Sequence, residues 1–165
     1  MKHPLLTGLL WLLAYATTYA QLPADPTTGK IVYTGALPLP ANVTAAQAFG
    51  RSKIWLSRAF LDHDVPVEDA ASGLLSSAGV TKVNNLSFPF RIRLQVEGAQ
   101  VKYRLDDFQC DWLNLIDGTS THGTAEAVRD SKMIGKGGRA KALAKMDSQI
   151  REGLAQLGSE LAGSL

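Results

Sequence analysis

The segment from Leu86 to Trp112, LSFPFRIRLQVEGAQVKYRLDDFQCDW, constrains the fold more than any other part of the chain. Its apolar residues alternate with basic and polar residues, first from Phe88 to Val96 and again from Val101 to Leu105. A period of two residues is typical of a β-strand with one buried face. Gly98-Ala99, between the two runs, suits a two-residue type II′ turn. The pattern therefore predicts an antiparallel β-hairpin.

A two-residue turn also predicts which residues of this hairpin oppose one another. Each apolar residue meets an apolar residue on one face, which is the arrangement that stabilises a strand pair. These pairs are Val96 with Val101, Leu94 with Tyr103 and Ile92 with Leu105. The remaining predicted pairs are Glu97 with Gln100, Arg93 with Arg104, Gln95 with Lys102 and Arg91 with Asp106.

Four cations, Arg91, Arg93, Lys102 and Arg104, form what we call the basic face of this hairpin. Two interpretations of it are open. Long cationic side chains often do no more than solvate the exposed face of a sheet. Directly opposed like charges are unfavourable, however, so that Arg93 and Arg104 would gain from binding an anionic partner. That partner would be an envelope protein, an acidic glycan or an anionic lipid head group.

Strand and helix patterns precede the hairpin. KIVYTGALPLP, from Lys30 to Pro40, predicts a first strand that its prolines end. Thr44 and Gln47 have the spacing of a capping box, which predicts a helix from Thr44 to about Leu61. Two further short strands are predicted, at 65–67 and at 73–80.

A glycine-rich polar stretch and a helical pattern follow the hairpin. The stretch after Trp112 predicts a loop with at most a short helix, around 124–133. From Ala140 to Leu161, apolar residues then recur at steps of three and four, which predicts a final helix that covers the sheet. This stripe consists of Leu143, Met146, Ile150, Leu154, Leu157 and Leu161. Pairing of this helix with another chain is the alternative.

The first 20 residues have the pattern of a signal peptide. A short basic start precedes an apolar run from Leu5 to Ala16, and Thr18-Tyr19-Ala20 suits a peptidase site, with cleavage after Ala20. The apolar run is shorter than the about 20 residues that cross a bilayer. We therefore expect an exported protein, periplasmic or secreted, with 21–165 as one domain. Retention of the segment as an anchor is the alternative.

Charge and cysteine content narrow the classes of function. The 17 basic and 15 acidic residues nearly balance, which argues against a nucleic-acid partner. The single cysteine, Cys110, excludes a disulfide within one chain. We expect it to pack in the core, because unpaired cysteines are among the most often buried residues. The alternatives are a nucleophile or a disulfide between chains.

Other chemical motifs are weak, and we expect no metal and no cofactor. Asp62-His63-Asp64 suggests a solvated turn rather than a metal site, because adjacent residues rarely converge on one ion. His122 would need an orienting acid and an oxyanion site to act with a serine. Asp106, Asp107 and Asp111 lack the spacing of a calcium loop, and Asp107 suits a turn cap. GKGGR, from Gly135 to Arg139, lacks the P-loop spacing.

Several short motifs, taken in order, resemble an exported bacterial family of domains of unknown function, described as having a TBP-like fold. The matching residues are Gly29, Lys30, Ile31, Tyr33, Trp55, Tyr103, Asp107 and Phe108. The resemblance implies an α+β fold, a curved antiparallel sheet with two packed helices in the order β-α-β(4)-α. It also implies that these residues are structural. It implies no activity. The name of the fold is no evidence for DNA binding, because proteins with the same fold can have different functions.

Together these observations predict a non-catalytic binding or protein-interaction module of the bacterial envelope. The first alternative is an envelope hydrolase-like enzyme that uses His122 or Cys110. The second is a structural subunit of an oligomer.

Overall fold

Antiparallel strands and helices build the part of the chain that the computed structural model describes, residues 22–60, 67–113, 120–130 and 136–163. Its strands are β1 (Tyr33–Pro38), β2 (Val67–Asp69), β3 (Leu74–Val83), β4 (Leu86–Glu97), β5 (Gln100–Asp106), β6 (Gln109–Leu113) and β7 (Ser120–Thr124). Its helices are α1 (Ala45–Leu56), α2 (Ala125–Asp130) and α3 (Lys136–Ala162). The predicted α+β class with an antiparallel sheet is confirmed. The predictions for residues 1–20, for Asp62-His63-Asp64 and for Val65 and Pro66 lie outside the described residues.

The central hairpin has the predicted register. β4 and β5 pair Glu97 with Gln100, Leu94 with Tyr103, Arg93 with Arg104 and Arg91 with Asp106. Gly98 has φ 58°, whereas Ala99 is not in the left-handed region, as a type II′ turn requires. The sheet order is β1-β5-β4-β3-β2, so this hairpin lies at its centre.

β5 and β6 both pair with β4, and the chain between their paired positions contains one residue more than the opposing part of β4. The register advances from Arg91 to Ser87 on β4 while it advances from Asp106 to Asp111 on the opposing strand. Such a mismatch is a β-bulge, and Asp107 occupies it with φ 62°. The carboxylate of Asp107 lies near Arg91. The bulge returns Phe108 to the core side and bends the sheet.

The prediction of a loop after Trp112 is wrong for residues 120–124, which form β7 and pair with β6. All five β7 residues are exposed, so they carry no alternation of apolar and polar residues that would reveal a strand. The predicted short helix is present as α2, directly after β7. The order of elements therefore has six strands between α1 and α2, not four strands before a final helix.

Both long helices pack on one side of the sheet, and their starts and ends differ slightly from the predictions. Thr44 and Gln47 form the predicted capping box, but α1 ends at Leu56, and the chain then turns so that Phe60 is still buried. α3 begins at Lys136, four residues before the prediction. Its predicted apolar stripe is buried against the sheet, apart from a half-buried Leu154. These side chains belong to the core of their own chain, as predicted for a helix that covers the sheet.

Candidate binding face on the open side of the sheet

The two faces of the sheet differ in chemistry because the strands alternate. The side that faces α1 and α3 carries the core residues of β4, among them Phe88, Ile92 and Leu94. The opposite side, which we call the open face, carries the four cations of the basic face. Short side chains of β1 and β3 surround them on the same side: Thr34, Ala36, Ser76 and Ala78. The open face is therefore shallow around its charged centre.

Asp106 joins the two opposed arginines. Its Oδ2 atom accepts from Arg93 Nη2 and, at 2.6 Å, from Arg104 Nε. The Asp106 side chain is only 13% exposed, whereas the side chains of Arg93 and Arg104 are about half exposed. The repulsion expected from the hairpin register is therefore offset within the chain. Sequence reasoning placed Asp106 opposite Arg91 but did not foresee this diagonal contact with Arg93.

The other two cations each have an acidic neighbour of their own. Lys102 Nζ lies 2.5 Å from Glu97 Oε2. Arg91 Nη2 lies 3.6 Å from Asp107 Oδ2. Ion pairs thus join the four cations of this face to three carboxylates. A fourth carboxylate, Asp25, lies near Arg104: the N–H groups of Thr28 and Thr27 lower its pKa, and the charge of Arg104 adds to that effect.

Two buried atoms in this cluster have no hydrogen-bond partner among the described residues. They are Arg93 Nε and Asp106 Oδ1. Each guanidinium has five N–H donors, and the contacts with Asp106 use one from each arginine. The half-exposed guanidinium groups of what we call the Arg93–Asp106–Arg104 cluster therefore keep N–H donors that Asp106 does not use.

His122 also lies on the open face, beside an acid that sequence reasoning did not assign to it. Asp111 opposes His122 across β6 and β7, and Asp111 Oδ1 lies 2.7 Å from His122 Nδ1. The imidazole is 74% exposed, and within the described chain Asp111 is its hydrogen-bond partner. Among the described residues, no hydroxyl or thiol group forms a hydrogen bond with Nε2, the other ring nitrogen of His122. The orienting acid of a triad is thus present without a nucleophile placed beside it.

Cys110 packs in the core on the opposite side of the sheet, as predicted. It is 3% exposed. Burial, together with the negative charge of Asp111, raises the pKa of its thiol to about 11. A reactive cysteine needs the reverse, a depressed pKa and access to solvent. The geometry therefore gives Cys110 a packing role.

The remaining chemical motifs do not converge on one site. Asp106, Asp107 and Asp111 face different partners, and the described residues contain no group of three His, Cys, Asp or Glu side chains that could hold a metal ion. Of GKGGR, Gly135 lies outside the described residues and the other four residues form the start of α3.

Most of the residues that carried the family resemblance lie in or beside the core, whereas Asp107 contacts Arg91 on the open face. Gly29 has φ 68° in the tight turn before β1, with exposed Lys30 after it. Ile31 is buried, and its N–H donates to Glu126 on α2 at 2.6 Å. Tyr33 packs against Phe108 with ring centroids 5.6 Å apart.

Three more of these residues connect separate strands and helices of the fold. The Trp55 indole donates to the carbonyl of Gly153 on α3 at 3.0 Å. Phe108 stacks on Phe90, 4.9 Å away. Tyr103 lies over Gly35, its partner on β1. The motif thus marks where the sheet meets its helices, in line with a structural role.

Two solved structures share this fold. A TBP-like protein from Parabacteroides distasonis matches with a TM-score of 0.67 at 14% identity, over 84% of this chain and 96% of that one. A DUF4468 family protein from Bacteroides ovatus matches with a TM-score of 0.56 at 13% identity, over 83% and 90%. No family model and no curated protein matches the sequence. The predicted resemblance to TBP-like domains of unknown function is confirmed at the level of the fold.

Within the described ranges, no helix is both long enough and apolar enough to cross a bilayer.

Proposed function

We propose that this protein is an exported, non-catalytic binding module whose open face binds an acidic surface of another envelope protein. The observation that carries the proposal is the Arg93–Asp106–Arg104 cluster. It presents two half-exposed guanidinium groups, side by side, on a sheet face that the helices leave uncovered.

The cluster suits a carboxylate because of its geometry. Asp106 accepts a hydrogen bond from each arginine, and these bonds orient both guanidinium groups in the free protein. A guanidinium group donates two parallel hydrogen bonds to a carboxylate, and a preorganised group loses less entropy on binding. A carboxylate of the partner would accept hydrogen bonds from the guanidinium N–H groups that Asp106 leaves unused.

A protein surface fits better than a membrane or a polyanionic glycan. Recognition of anionic lipid typically needs about 4–8 clustered cations, whereas the acids of this face cancel most of its charge. The short side chains of Ser76, Ala78 and Ala36 leave a shallow surface that another protein can approach closely. Arginine is also enriched in protein interfaces.

Export is supported by the sequence of residues 1–20, as argued above. Expression of the full-length chain in a bacterial host, followed by mass spectrometry of the exported protein, tests it. A mature chain that begins at Gln21 is expected. A chain that keeps Met1, or that stays in the cytoplasm, would contradict the proposal.

Binding is tested by affinity capture from solubilised envelope, followed by measurement of the purified partner's Kd. The test variant is Arg93→Gln with Arg104→Gln. The control is Lys141→Gln with Lys145→Gln, which removes the same charge from exposed positions on α3. A partner retained by wild type and control, and lost with the test variant, supports the proposal.

Three results would count against it. Equal capture by the test and control variants would leave the basic face a solvated scaffold. Binding to anionic vesicles that needs no protein would assign the cluster to lipid. Binding to an acidic polysaccharide, with no protein retained, would assign it to glycan.

A further inference from the structure

β1 forms one edge of the sheet, and most of this edge is open. Among the described strands, β1 pairs only with β5. On its other side, residues 23–25 pair with the residues just before β1, where the Val32 N–H donates to the Pro23 carbonyl at 3.1 Å. In the described part of the chain no segment continues this pairing along β1, whose residues 34–36 and 38 are exposed. Unpaired edge strands are templates for pairing with another chain.

The register of the sheet decides which backbone groups of β1 point outward. Because two residues form the turn before β5, alternate residues of β5, beginning with Val101, direct their N–H and C=O groups at β1. Arg104 and Lys102 bond to β4 instead. Thr34 and Ala36 lie opposite these two cations, so their own N–H and C=O groups point away from the sheet. Within the described ranges these four groups have no hydrogen-bond partner.

β1 also has few of the features that usually protect an edge from pairing. Protected edges are very short, carry charged side chains or contain bulges. β1 is six residues long, and its sequence YTGALP has no charge. β2, at the far edge of the sheet, has three residues, of which Glu68 and Asp69 are charged. Pro38 lacks an N–H and ends the strand, but it leaves Thr34 and Ala36 open.

The cations of β5 determine the chemistry of one face of an added strand. Its residues opposite Thr34 and Ala36 would project on the open face, because paired residues share a face. Arg104 and Lys102 lie on that face about 10 Å away, two strand spacings from the added backbone. The short side chains of Thr34 and Ala36 leave room for a long acidic side chain to reach across. Asp25, which lies on the segment beyond β1, already interacts electrostatically with Arg104.

The other face of an added strand would meet apolar and aromatic surface. Leu37 of β1 is half-buried, and Gly158 of α3 lies beside it. Tyr103 reaches from β5 over Gly35, whose missing side chain leaves space for the phenol. The complement of this edge is therefore an extended segment in which acidic and apolar residues alternate.

We propose that β1 binds such a segment of the partner protein as an added antiparallel strand. This inference rests on the proposed binding function and specifies the form of the partner. Thr34 and Ala36 exchange N–H···O=C hydrogen bonds with the segment, and its acidic side chains contact Arg104. A second copy of β1 fits less well, because it would bring no acid to these cations.

The first test is an NMR titration of the ¹⁵N-labelled protein with the peptide acetyl-Thr-Glu-Val-Glu-Val-Glu-Thr-amide, followed by amide hydrogen exchange. In the free protein, the amides of Gly35 and Leu37 should exchange slowly and those of Thr34 and Ala36 rapidly. At saturation we expect exchange at Thr34 and Ala36 to slow about tenfold or more. The control peptide carries N-methyl groups on its glutamates, whose N–H groups would face β1, and should not bind. Absence of saturable shifts, or equal binding of both peptides, would overturn the proposal.

Variants of the protein separate the backbone contacts from the charge. Ala36→Pro removes an outward N–H that no described residue uses, so the fold should persist while peptide affinity falls about tenfold or more. Ala36→Ser keeps this N–H and should bind as wild type does. Arg104→Gln should weaken binding of the glutamate peptide but not of its glutamine counterpart. Wild-type affinity in Ala36→Pro would contradict strand addition, and the N-methylated peptide decides if that variant fails to fold.

Capture of the envelope partner distinguishes a failure of this inference from a failure of the proposed function. Capture that is lost with the variant Arg93→Gln, Arg104→Gln but kept with Ala36→Pro would preserve the acidic partner and overturn strand addition. Capture that is unchanged in both would overturn both. A dimer in solution that protects the amides of Thr34 and Ala36 without peptide would assign the edge to a second copy and also overturn the proposal.

Discussion

A Cβ atom placed on Gly153 of α3 would stand 2.7 Å from Cζ of Phe60, closer than two carbon atoms can approach. Phe60 is buried, and its ring makes edge contacts with Trp55 and Phe90 at centroid distances of 5.7 and 5.0 Å. Glycine is a poor helix former, yet at position 153 it lets α3 pack closely on the aromatic core.

The first prediction follows from that contact. Gly153→Ala should lower the free energy of unfolding by about 1–3 kcal/mol, because overpacking outweighs the better helix propensity of alanine. Gly158→Ala is the matched control. Its Cβ would meet its nearest heavy atom at 4.0 Å, so it should stabilise the protein by about 0.5–1 kcal/mol. Urea unfolding measures both, and equal stabilisation by the two variants would contradict the packing argument.

The second prediction concerns Tyr33 of β1, whose hydroxyl donates to Asp147 on α3 at 2.8 Å. Burial, then the hydrogen bond to Asp147, raises the pKa of Tyr33 above its ordinary range. Tyr33→Phe should lower the free energy of unfolding by about 1–3 kcal/mol, because the carboxylate of buried Asp147 loses a donor and keeps Arg151.

Tyr103→Phe serves as its control. The described residues provide no hydrogen bond to the Tyr103 hydroxyl in this structure, and the side chain is half-buried over Gly35. Denaturant midpoints of the two variants should therefore differ, with only Tyr33→Phe shifted to lower urea. A loss of similar size in both would show that the bond to Asp147 contributes little.

The third prediction concerns Asp106. Asp106→Asn removes the negative charge that offsets the repulsion between Arg93 and Arg104. The free energy of unfolding should therefore fall by about 1–2 kcal/mol at low salt. Because screening shortens the Debye length to about 3 Å in 1 M salt, added NaCl should restore part of the loss. Thermal unfolding at two salt concentrations measures this.

Asp107→Asn is the control for charge removal. The Asp107 carboxylate is half exposed, and asparagine tolerates the left-handed backbone of the bulge. We expect a change below about 0.5 kcal/mol, with little dependence on salt. If Asp106→Asn behaves in the same way, the shared carboxylate does not hold the arginines together.

The fourth prediction is that the Cys110 thiol reacts slowly in the folded protein. Its burial and its raised pKa of about 11 both oppose attack on a thiol reagent at pH 8. Labelling should be rapid only in denaturant. Ser120→Cys in a Cys110→Ala background places a thiol on exposed β7 and should react rapidly without denaturant. Fast native labelling of wild type would revive the enzyme alternative.

The fifth prediction is that Cys110 makes the stability of the fold depend on pH in alkaline solution. Its pKa is about 11 in the fold against a reference value of 9.0, so the unfolded chain releases the thiol proton first. Stability is therefore lost as pH rises from about 9 to about 11, and not below that range. The loss should be smaller in Cys110→Ala, and urea midpoints at pH 8, 9, 10 and 11 compare the two. Parallel curves would contradict it.

The sequence alone determined the elements whose causes are local. The hairpin register follows from a two-residue turn and a period of two, and both act within Phe88 to Leu105. The capping box at Thr44 and the apolar stripe of α3 are local in the same sense. The residues of the basic face were identified at this level, because register decides which side chains share a face.

Only the tertiary structure decided the contacts between positions that no local pattern links. β7 has five exposed residues, so its strand conformation depends on pairing with β6 and not on alternation. The same pairing brings His122 to Asp111. Asp106 reaches Arg93 by a diagonal contact that depends on side-chain direction within the twisted sheet, where pairing alone predicted a different partner.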